Sequence, residues 1–446
     1  MMRPARRDRK PANGAARAGR FRSRGRRSAL VGQGPIHVPV RTGSATTASP
    51  APSGSGWEVG ALVTLTLLLL GFGLVSLYSG SSVLAMERGL PADHFFVSQT
   101  AGALVGISFL AVCAFVPPRF WRAAAIPALL LTLIALLIVV LPQTHAIAPE
   151  IKGARRWLRI GPVTGQPSEL AKLVIVIWTA SAVTRRASRL NSLARGILPL
   201  LIVWGVVASL IVLERDLSTA VLVIGLGLAV AFAAGVRLKH CVGMAIVTIP
   251  ILLHQLNVGF RKQRITAFVD PTADPSGSSY QVNQSLLAMG SGGFGGVGFG
   301  EGRQKFGFLP EPHNDFAVAL IGEEWGFLGV LGVTLAFLGL TVTGFKVAGK
   351  ARTSFERLMV IGFTTMIAVH AFLHMAVSLA LVPTTGLSMP FISYGRSNLV
   401  AMLIAVGIIV AVARRSRAAP IDREGRPSPA RRAQQARPLL SRGGHA

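Results

Sequence analysis

Apolar residues along this chain come in long unbroken runs, not in the alternation of a strand or the one-sided stripe of a soluble helix. Such runs recur at 57–79, 95–116, 123–141, 169–184, 196–213, 217–235, 241–260, 317–345, 358–382 and 398–413. About 20 residues at 1.5 Å each cross the roughly 30 Å hydrocarbon core of a bilayer. The pattern predicts an all-α polytopic membrane protein of about ten transmembrane helices, with a long polar loop, 261–316, between spans seven and eight. The membrane domain then covers 57–413, between two tails at 1–56 and 414–446.

Composition agrees with that reading. Of the 446 residues 51% are hydrophobic and only 14% charged, too apolar for a soluble globule of this length. The net charge of +28 raises nucleic acid as a partner, but the basic residues gather in the tails and in short loops. Both tails are rich in Arg, Pro, Gly and Ser without apolar periodicity, so they read as disordered segments attracted to anionic headgroups, with no nucleic-acid role.

An even span number returns both tails to one side. The tails, Arg119 and Arg122, Arg185 to Arg195, Arg237 and Lys239, and Lys346 to Arg357 all fall there, which the positive-inside rule assigns to the cytoplasm. The expected location is therefore the bacterial cytoplasmic (inner) membrane, with the 142–167, 214–216, 261–316 and 383–397 segments outside. The first apolar run is too long for a signal-peptide core and reads as an uncleaved insertion signal. Cys113 and Cys241 fall in predicted spans and offer neither a disulfide framework nor a zinc motif.

Several charged positions oppose this background. Lys152, Arg155, Arg156 and Arg159 form a basic cluster on the predicted outer side, where an anionic partner would explain them. Ser168 reads as the N-cap of the span that follows, and Glu169 and Lys172 sit at i,i+3 on one face of it. Ionisable groups at that depth face a bundle interior or a polar cavity, so the pair is either a structural salt bridge or part of a substrate site. Glu214, Arg215 and Asp216 crowd a turn with almost no loop and call for contact with another external loop. His370 and His374 at i,i+4 lack a third ligand on their helix, which favours hydrogen bonding between helices over a metal site.

The run GSGGFGGVGFGEG, from Gly290 to Gly302, excludes a regular helix and permits close backbone approach to a ligand. It lacks the GxxxxGK[ST] pattern of a nucleotide loop. Asp274, Glu301, Arg303, Lys305, His313, Asp315, Glu323 and Glu324 lie along or just after the Asp274–Phe316 stretch that contains this run, a mixture of acids and bases suited to chemistry on a lipid-borne headgroup.

These residues carry a resemblance. RRWLRIGPVTGQPSELAKL, ERDLSTA, DPSGSSYQVNQSLLAMGSGGFGGVGFGEGRQKFGFLPEPHNDF, IGEEWGFLG and TTGLSMPFISYGRSNL, in this order, resemble the SEDS proteins, the FtsW/RodA peptidoglycan glycosyltransferases, over nearly everything between the tails. Tyr280–Gln281 and Gly322–Glu324 look more like the FtsW division branch. The resemblance implies a ten-span enzyme that polymerises lipid II on the outer face, releases undecaprenyl pyrophosphate, and works with a class B penicillin-binding protein and other division or elongation proteins. It maps the catalytic acid onto Asp274, and its motifs supply Arg155, Arg156, Glu169, Lys172, Gln281, Ser285, Lys305, His313, Asp315 and Ser393 as substrate-binding candidates. Charge for the departing pyrophosphate comes from Arg155, Arg156, Lys172 or Lys305, or from a divalent cation (Mg²⁺ or Mn²⁺). The alternatives are a lipid II flippase and a noncatalytic scaffold for the penicillin-binding protein. Arg215 stands where the family usually has Pro, and Arg396 and Asn398 alter its usual YGGSS.

Overall fold

The computed structural model describes residues 56–417 apart from 152, 162, 191, 238, 241, 245, 247–258, 271–276 and 278. Within them the chain is helical: α1 (Trp57–Glu87), α2 (His94–Phe115), α3 (Pro118–Val140), α4 (Pro167–Arg185), α5 (Leu198–Leu213), α6 (Leu217–Ala233), α7 (Gly259–Val269), α8 (Tyr280–Ser291), α9 (Ala317–Gly349), α10 (Ser354–Ser378) and α11 (Arg396–Arg417). Eight helical stretches are long and apolar enough to cross a membrane, and α6 is a shorter apolar helix. Nine of the expected spans thus have a helix. The tenth, 241–260, falls largely outside the described residues, as do nearly all of the two tails.

α4 is the centre of the bundle. Every residue from Pro167 to Val183 except Leu170 is buried, because α3, α5, α6, α10 and α11 all pack against it. Helices that water does not drive together associate through close packing of small residues. Accordingly α2 lies along α11 with Gly106 facing Leu403 and Gly407 facing Leu110, and Gly362 of α10 admits Val176 of α4 and Val230 of α6. Around this centre α1, α2, α3, α5 and α9 turn Leu, Val, Ile and Phe outward. That arrangement is stable only against lipid.

Polar contacts mark the two ends. At one end Lys350 pairs with Glu58, Arg415 with Glu356 at 3.6 Å, and Lys346 lies 4.9 Å from the Trp57 ring. α10 starts there on a capping box of Thr353 and Glu356, four residues before the apolar run suggested. The opposite end, called here the loop end, gathers 142–166, 214–216, α7, α8, 292–316 and 379–395. Its elements are cross-tied: Arg88 to Glu311 at 3.2 Å, Ser218 Oγ to the Thr385 carbonyl at 2.7 Å, and Gln99 to both Ser393 and Gly395 at 3.1 Å.

The glycine-rich run meets α9. At Gly326 (φ 64°) the helix breaks, and the freed backbone groups bond to the run: Val297 N donates to Glu323 O (3.0 Å), Gly298 N to Glu324 O (3.1 Å) and Phe327 N to Gly293 O (2.9 Å). A Cβ on Gly296 would collide with the Glu324 carbonyl, and one on Gly326 with the backbone of Gly295 and Gly296. The close approach that these glycines permit is thus made to a helix of the same chain. Over 292–298, part of the Gly290–Gly302 run expected to let backbone approach a ligand, that approach is a backbone interlock with α9.

Candidate active site

The backbone of Lys172 lies about five residues, or roughly 7 Å, inside the start of α4, and the residue is 1% exposed. The i,i+3 spacing does what helical geometry allows: Glu169 Oε2 lies 2.7 Å from Lys172 Nζ. From α10, His370 Nε2 lies 2.9 Å from the same Nζ, while His370 Nδ1 lies 2.8 Å from the Met366 carbonyl. A carbonyl only accepts, so Nδ1 carries the proton and Nε2 accepts from lysine. His374 repeats the pattern one turn on, with Nδ1 donating to Leu387 O at 2.8 Å and Nε2 buried without a hydrogen-bond partner. His370 ties α10 to α4 through the lysine, the interhelical bonding that the spacing suggested, whereas His374 ties α10 to the loop at Leu387.

Above this triad lies a polar shelf. Ser168 is not the N-cap, since α4 begins at Pro167 with Gln166 in that position. Pro167 fits the first helical position because its ring fixes a helical φ and it has no amide of its own to satisfy, and no side chain caps the amides that follow. Instead Gln166 Nε2 donates to Ser168 Oγ (2.9 Å) and Asp216 Oδ2 (3.5 Å), its backbone amide donates to Ser397 Oγ (3.2 Å), and Asp216 caps α6 through Thr219. Gln166 and Ser397 were not singled out from the sequence, and Asp216 only as one charge of a crowded turn. Short polar residues at helix starts are common, and only the packing of α4, α6 and α11 shows that these three converge.

The basic cluster is pinned by helix ends. Arg155 donates to Leu141 O (2.9 Å) and Val140 O (3.0 Å) at the end of α3, and Arg156 to Glu214 O (3.2 Å) and Arg215 O (2.6 Å) past the end of α5. Helix C-termini present unpaired carbonyls and partial negative charge, so two adjacent arginines clip two spans together. Arg215 returns the contact, donating to Gly153 O at 2.7 Å. This is the loop-to-loop contact that the crowded turn called for. Arg215 has φ 63°, a conformation closed to the proline usual in the family. Strands β1 (Leu158–Ile160) and β2 (Val163–Gly165) pair antiparallel just beyond, and Arg396 of α11 donates to Thr164 Oγ1 at 2.9 Å.

Glu214 is the anomaly of this region. It is 2% exposed, both carboxylate oxygens lack a hydrogen-bond partner, and it borders a cavity of about 290 Å³ shared with His145, Glu150 and Arg155. Burial first, and the charge of Asp216 second, push its carboxyl up to about 9, against a smaller opposing effect of Arg156. The folded protein therefore keeps a proton that the unfolded chain releases near pH 4.5, so this group's contribution to stability declines as pH rises from about 4.5 to about 9. Glu214→Gln is expected to raise the melting temperature, with a gap over wild type that widens from pH 5 to pH 9 and reaches on the order of 1–3 kcal/mol. Melting curves of the two proteins across that range check it; a constant gap would show that Glu214 does not titrate as described.

Other expected substrate contacts are placed differently. Lys305 is buried and donates to Gly300 O (2.5 Å), Ser79 Oγ (3.1 Å) and Glu324 Oε1 (3.1 Å), which uses its three protons inside the protein. Glu323 accepts from the backbone amides of Arg303 and Gln304. Those acids and bases fasten the glycine run to α1 and α9. Ser285 donates to Ser378 O (2.8 Å), fixing α8 to the end of α10, and Ser393 Oγ accepts from Met389 N (3.0 Å) within its own turn. His313 is packed beside Phe95 and Tyr394, with ring centroids at 5.0 and 5.8 Å. Gln281 is exposed and Asp315 half-buried. Asp274 lies outside the described residues; on either side of it, Ser279 Oγ donates to Asp270 O at 3.4 Å. Among the described residues no group of three or more His, Cys, Asp or Glu side chains is arranged to hold a metal ion.

The profile of the FtsW/RodA/SpoVE family, described as a cell cycle protein, matches residues 60–418. The chain belongs to the FtsW/RodA/SpoVE family. A probable peptidoglycan glycosyltransferase FtsW of Geobacter metallireducens is 36% identical over 360 residues, 80% of this chain and 95% of that protein. Stage V sporulation protein E of Bacillus subtilis is 34% identical over 360 residues, 80% and 97% of the two chains. A chain from a peptidoglycan synthase complex, described as coordinating polymerization and crosslinking, superposes with TM-score 0.66 at 28% identity over 80% of this chain and 98% of its own. RodA of Thermus thermophilus superposes with TM-score 0.58 at 26% identity, over 79% and 95%. Within the FtsW/RodA/SpoVE family the chain is FtsW-like.

Proposed function

We propose that this chain is a peptidoglycan glycosyltransferase that polymerises lipid II into glycan strands at the outer face of the cytoplasmic membrane, for septal synthesis in cell division. Family membership supports the activity. The structural observation that carries it is Lys172, an ammonium held inside a span near the loop end by a carboxylate and a neutral imidazole. Buried cations are costly in a bilayer and mark polar substrate paths.

In the reaction the 4-hydroxyl of one lipid-linked disaccharide attacks the anomeric carbon of the growing strand. The new C–O bond forms as the bond to pyrophosphate breaks, and undecaprenyl pyrophosphate leaves. A hydroxyl is a poor nucleophile, so Asp274 takes its proton as general base. Attack opposite the leaving group turns an α-linked donor into a β linkage. Charge accumulates on the pyrophosphate, and Lys172 is the group placed inside a span to stabilise it. Arg155 and Arg156 act indirectly, by setting the spacing of α3 and α5 through the contacts described above.

The synthase complex among the structural relatives supports a class B penicillin-binding protein as partner. Purified chain supplied with fluorescent lipid II decides the activity: a ladder of glycan chains on a gel is expected with or without the partner's crosslinking. No ladder, with lipid II instead crossing vesicle bilayers, would favour a flippase.

The distribution of Lys and Arg supports cytoplasmic tails and an external loop end. In spheroplasts, a membrane-impermeant thiol reagent is expected to label Gln281→Cys and leave Ser28→Cys unlabelled. The reverse pattern would put the chemistry on the wrong side of the membrane for lipid II polymerisation.

A further inference from the structure

The polar 261–316 segment carries phenylalanines that it does not bury. Phe294 is 70% exposed, Phe306 56% and Phe308 53%. Covering a phenyl ring is worth about 1.5–3 kcal/mol, so three bare rings in water would oppose the fold.

Two helices measure how deep these rings sit. Lys346 of α9 lies against Trp57 of α1 at the tail end, and Glu324 of α9 accepts from Ser79 of α1 at the loop end. Trp57 to Ser79 is 22 residues, about 33 Å of helix, and in α9 the unbroken stretch from Phe327, just past the break at Gly326, to Lys346 is 19 residues, about 28 Å. Both rulers put the Ser79–Glu324–Lys305 cluster at the edge of a roughly 30 Å hydrocarbon core. Phe294 is on the membrane side of that level: its carbonyl accepts from Leu328 N at 3.2 Å and its ring stacks on Phe327 at 6.0 Å. Leu328, Leu335, Leu338 and Val342 are exposed along one face of α9, and Phe294 continues it. Phe306 and Phe308 flank the same level, because Lys305 is anchored in the cluster while Leu309 turns into a small core with Phe316 and Ala288.

We propose that residues 292–309 form an interfacial wedge, with Phe294, Phe306 and Phe308 seated in the boundary between headgroups and acyl chains at the loop end. Aromatic rings settle at that boundary, and irregular backbone is admissible there once its polar groups are satisfied. Here α9 satisfies those at 293, 294, 297, 298, 303 and 304, and turns within the run satisfy others. The occupant of the apolar patch is the bilayer, and the inference requires only that the chain spans it, whatever reaction the chain performs.

Nitroxide labels test this in the full-length chain in phosphatidylcholine–phosphatidylglycerol vesicles. Phe294→Cys, Phe308→Cys and, as a water-side reference, Gln281→Cys are made with Cys113 and Cys241 replaced by Ala. At 294 and 308 molecular oxygen should relax the label more than a water-soluble nickel chelate does, and at 281 the order should invert. Nickel winning at 294 or 308 would put the segment in water, and exclusion of both reagents would mean that protein covers it; either result overturns the wedge. A photoactivatable phospholipid in the same vesicles tests the unmodified chain, with labelling expected within 292–309. Labelling confined to the spans would also overturn it.

Discussion

Asp274→Asn is expected to lower glycan polymerisation by roughly 10²–10⁴-fold, the usual cost of losing a general base. Expression, membrane level and lipid II binding should stay near normal. Asparagine has the shape of aspartate and can still accept a hydrogen bond in a turn, but it cannot take a proton from an attacking hydroxyl. The sequence motivates the choice: Asp274 is followed by Pro275 and Gly277 and matches the catalytic acid of the FtsW/RodA pattern. Asp274→Glu should retain a trace of activity. If Asp274 only orders the turn before Pro275, the Asn variant will make long chains at close to the wild-type rate on a gel, and the base must be sought elsewhere.

Lys172→Met should abolish synthesis as well, but the structure adds a second effect. Removing the ammonium leaves Glu169 and His370 Nε2 buried without their shared partner, and breaking a buried pair from one side costs about 3–5 kcal/mol. Loss of activity alone would therefore prove little. The double variant Glu169→Gln, Lys172→Met removes both charges and should recover much of the melting temperature lost by Lys172→Met. It should remain at least about 100-fold slower than wild type, the scale of losing a charge-stabilising group. A double variant that regains both stability and turnover would show the pair to be a structural salt bridge.

Much of the bundle was legible because lipid simplifies the code. A run of apolar residues long enough to cross has few alternatives to a helix, so eight crossing helices and α6 lie where the runs lie. Helix ends were less legible. α1 continues to Glu87 past the apolar run because Ser79 and Ser81 find partners, the first in Glu324 and the second in the Leu77 carbonyl. α11 continues to Arg417, past the 413 boundary, with Arg414 over the Phe115 ring at 4.1 Å. The hairpin at 158–165 is three residues a side and leaves no periodicity to detect.

The site was legible in parts that depend on local spacing. Glu169 and Lys172 share a helix, so i,i+3 predicts their contact. His370 is 198 residues from Lys172, and its role as the lysine's acceptor follows only from α4 packing on α10. Lys305 misled for the same reason. An exposed-looking lysine in a glycine-rich loop suggests a phosphate partner, yet its ammonium is taken by Gly300 of the loop itself, Glu324 of α9 and Ser79 of α1, the last 226 residues away.

The interlock of the glycine run with α9 also has a direction in time. Residues 292–309 leave the ribosome before α9 does, so their amides and the Lys305 ammonium are made before Glu323 and Glu324 reach the membrane. Two bare carboxylates at the mouth of a span would slow its insertion. With the run already delivered, each carboxylate meets its donors on arrival: Glu323 the amides of Arg303 and Gln304, Glu324 the ammonium of Lys305. A permuted chain in which α9 came first would have to insert those charges unaided.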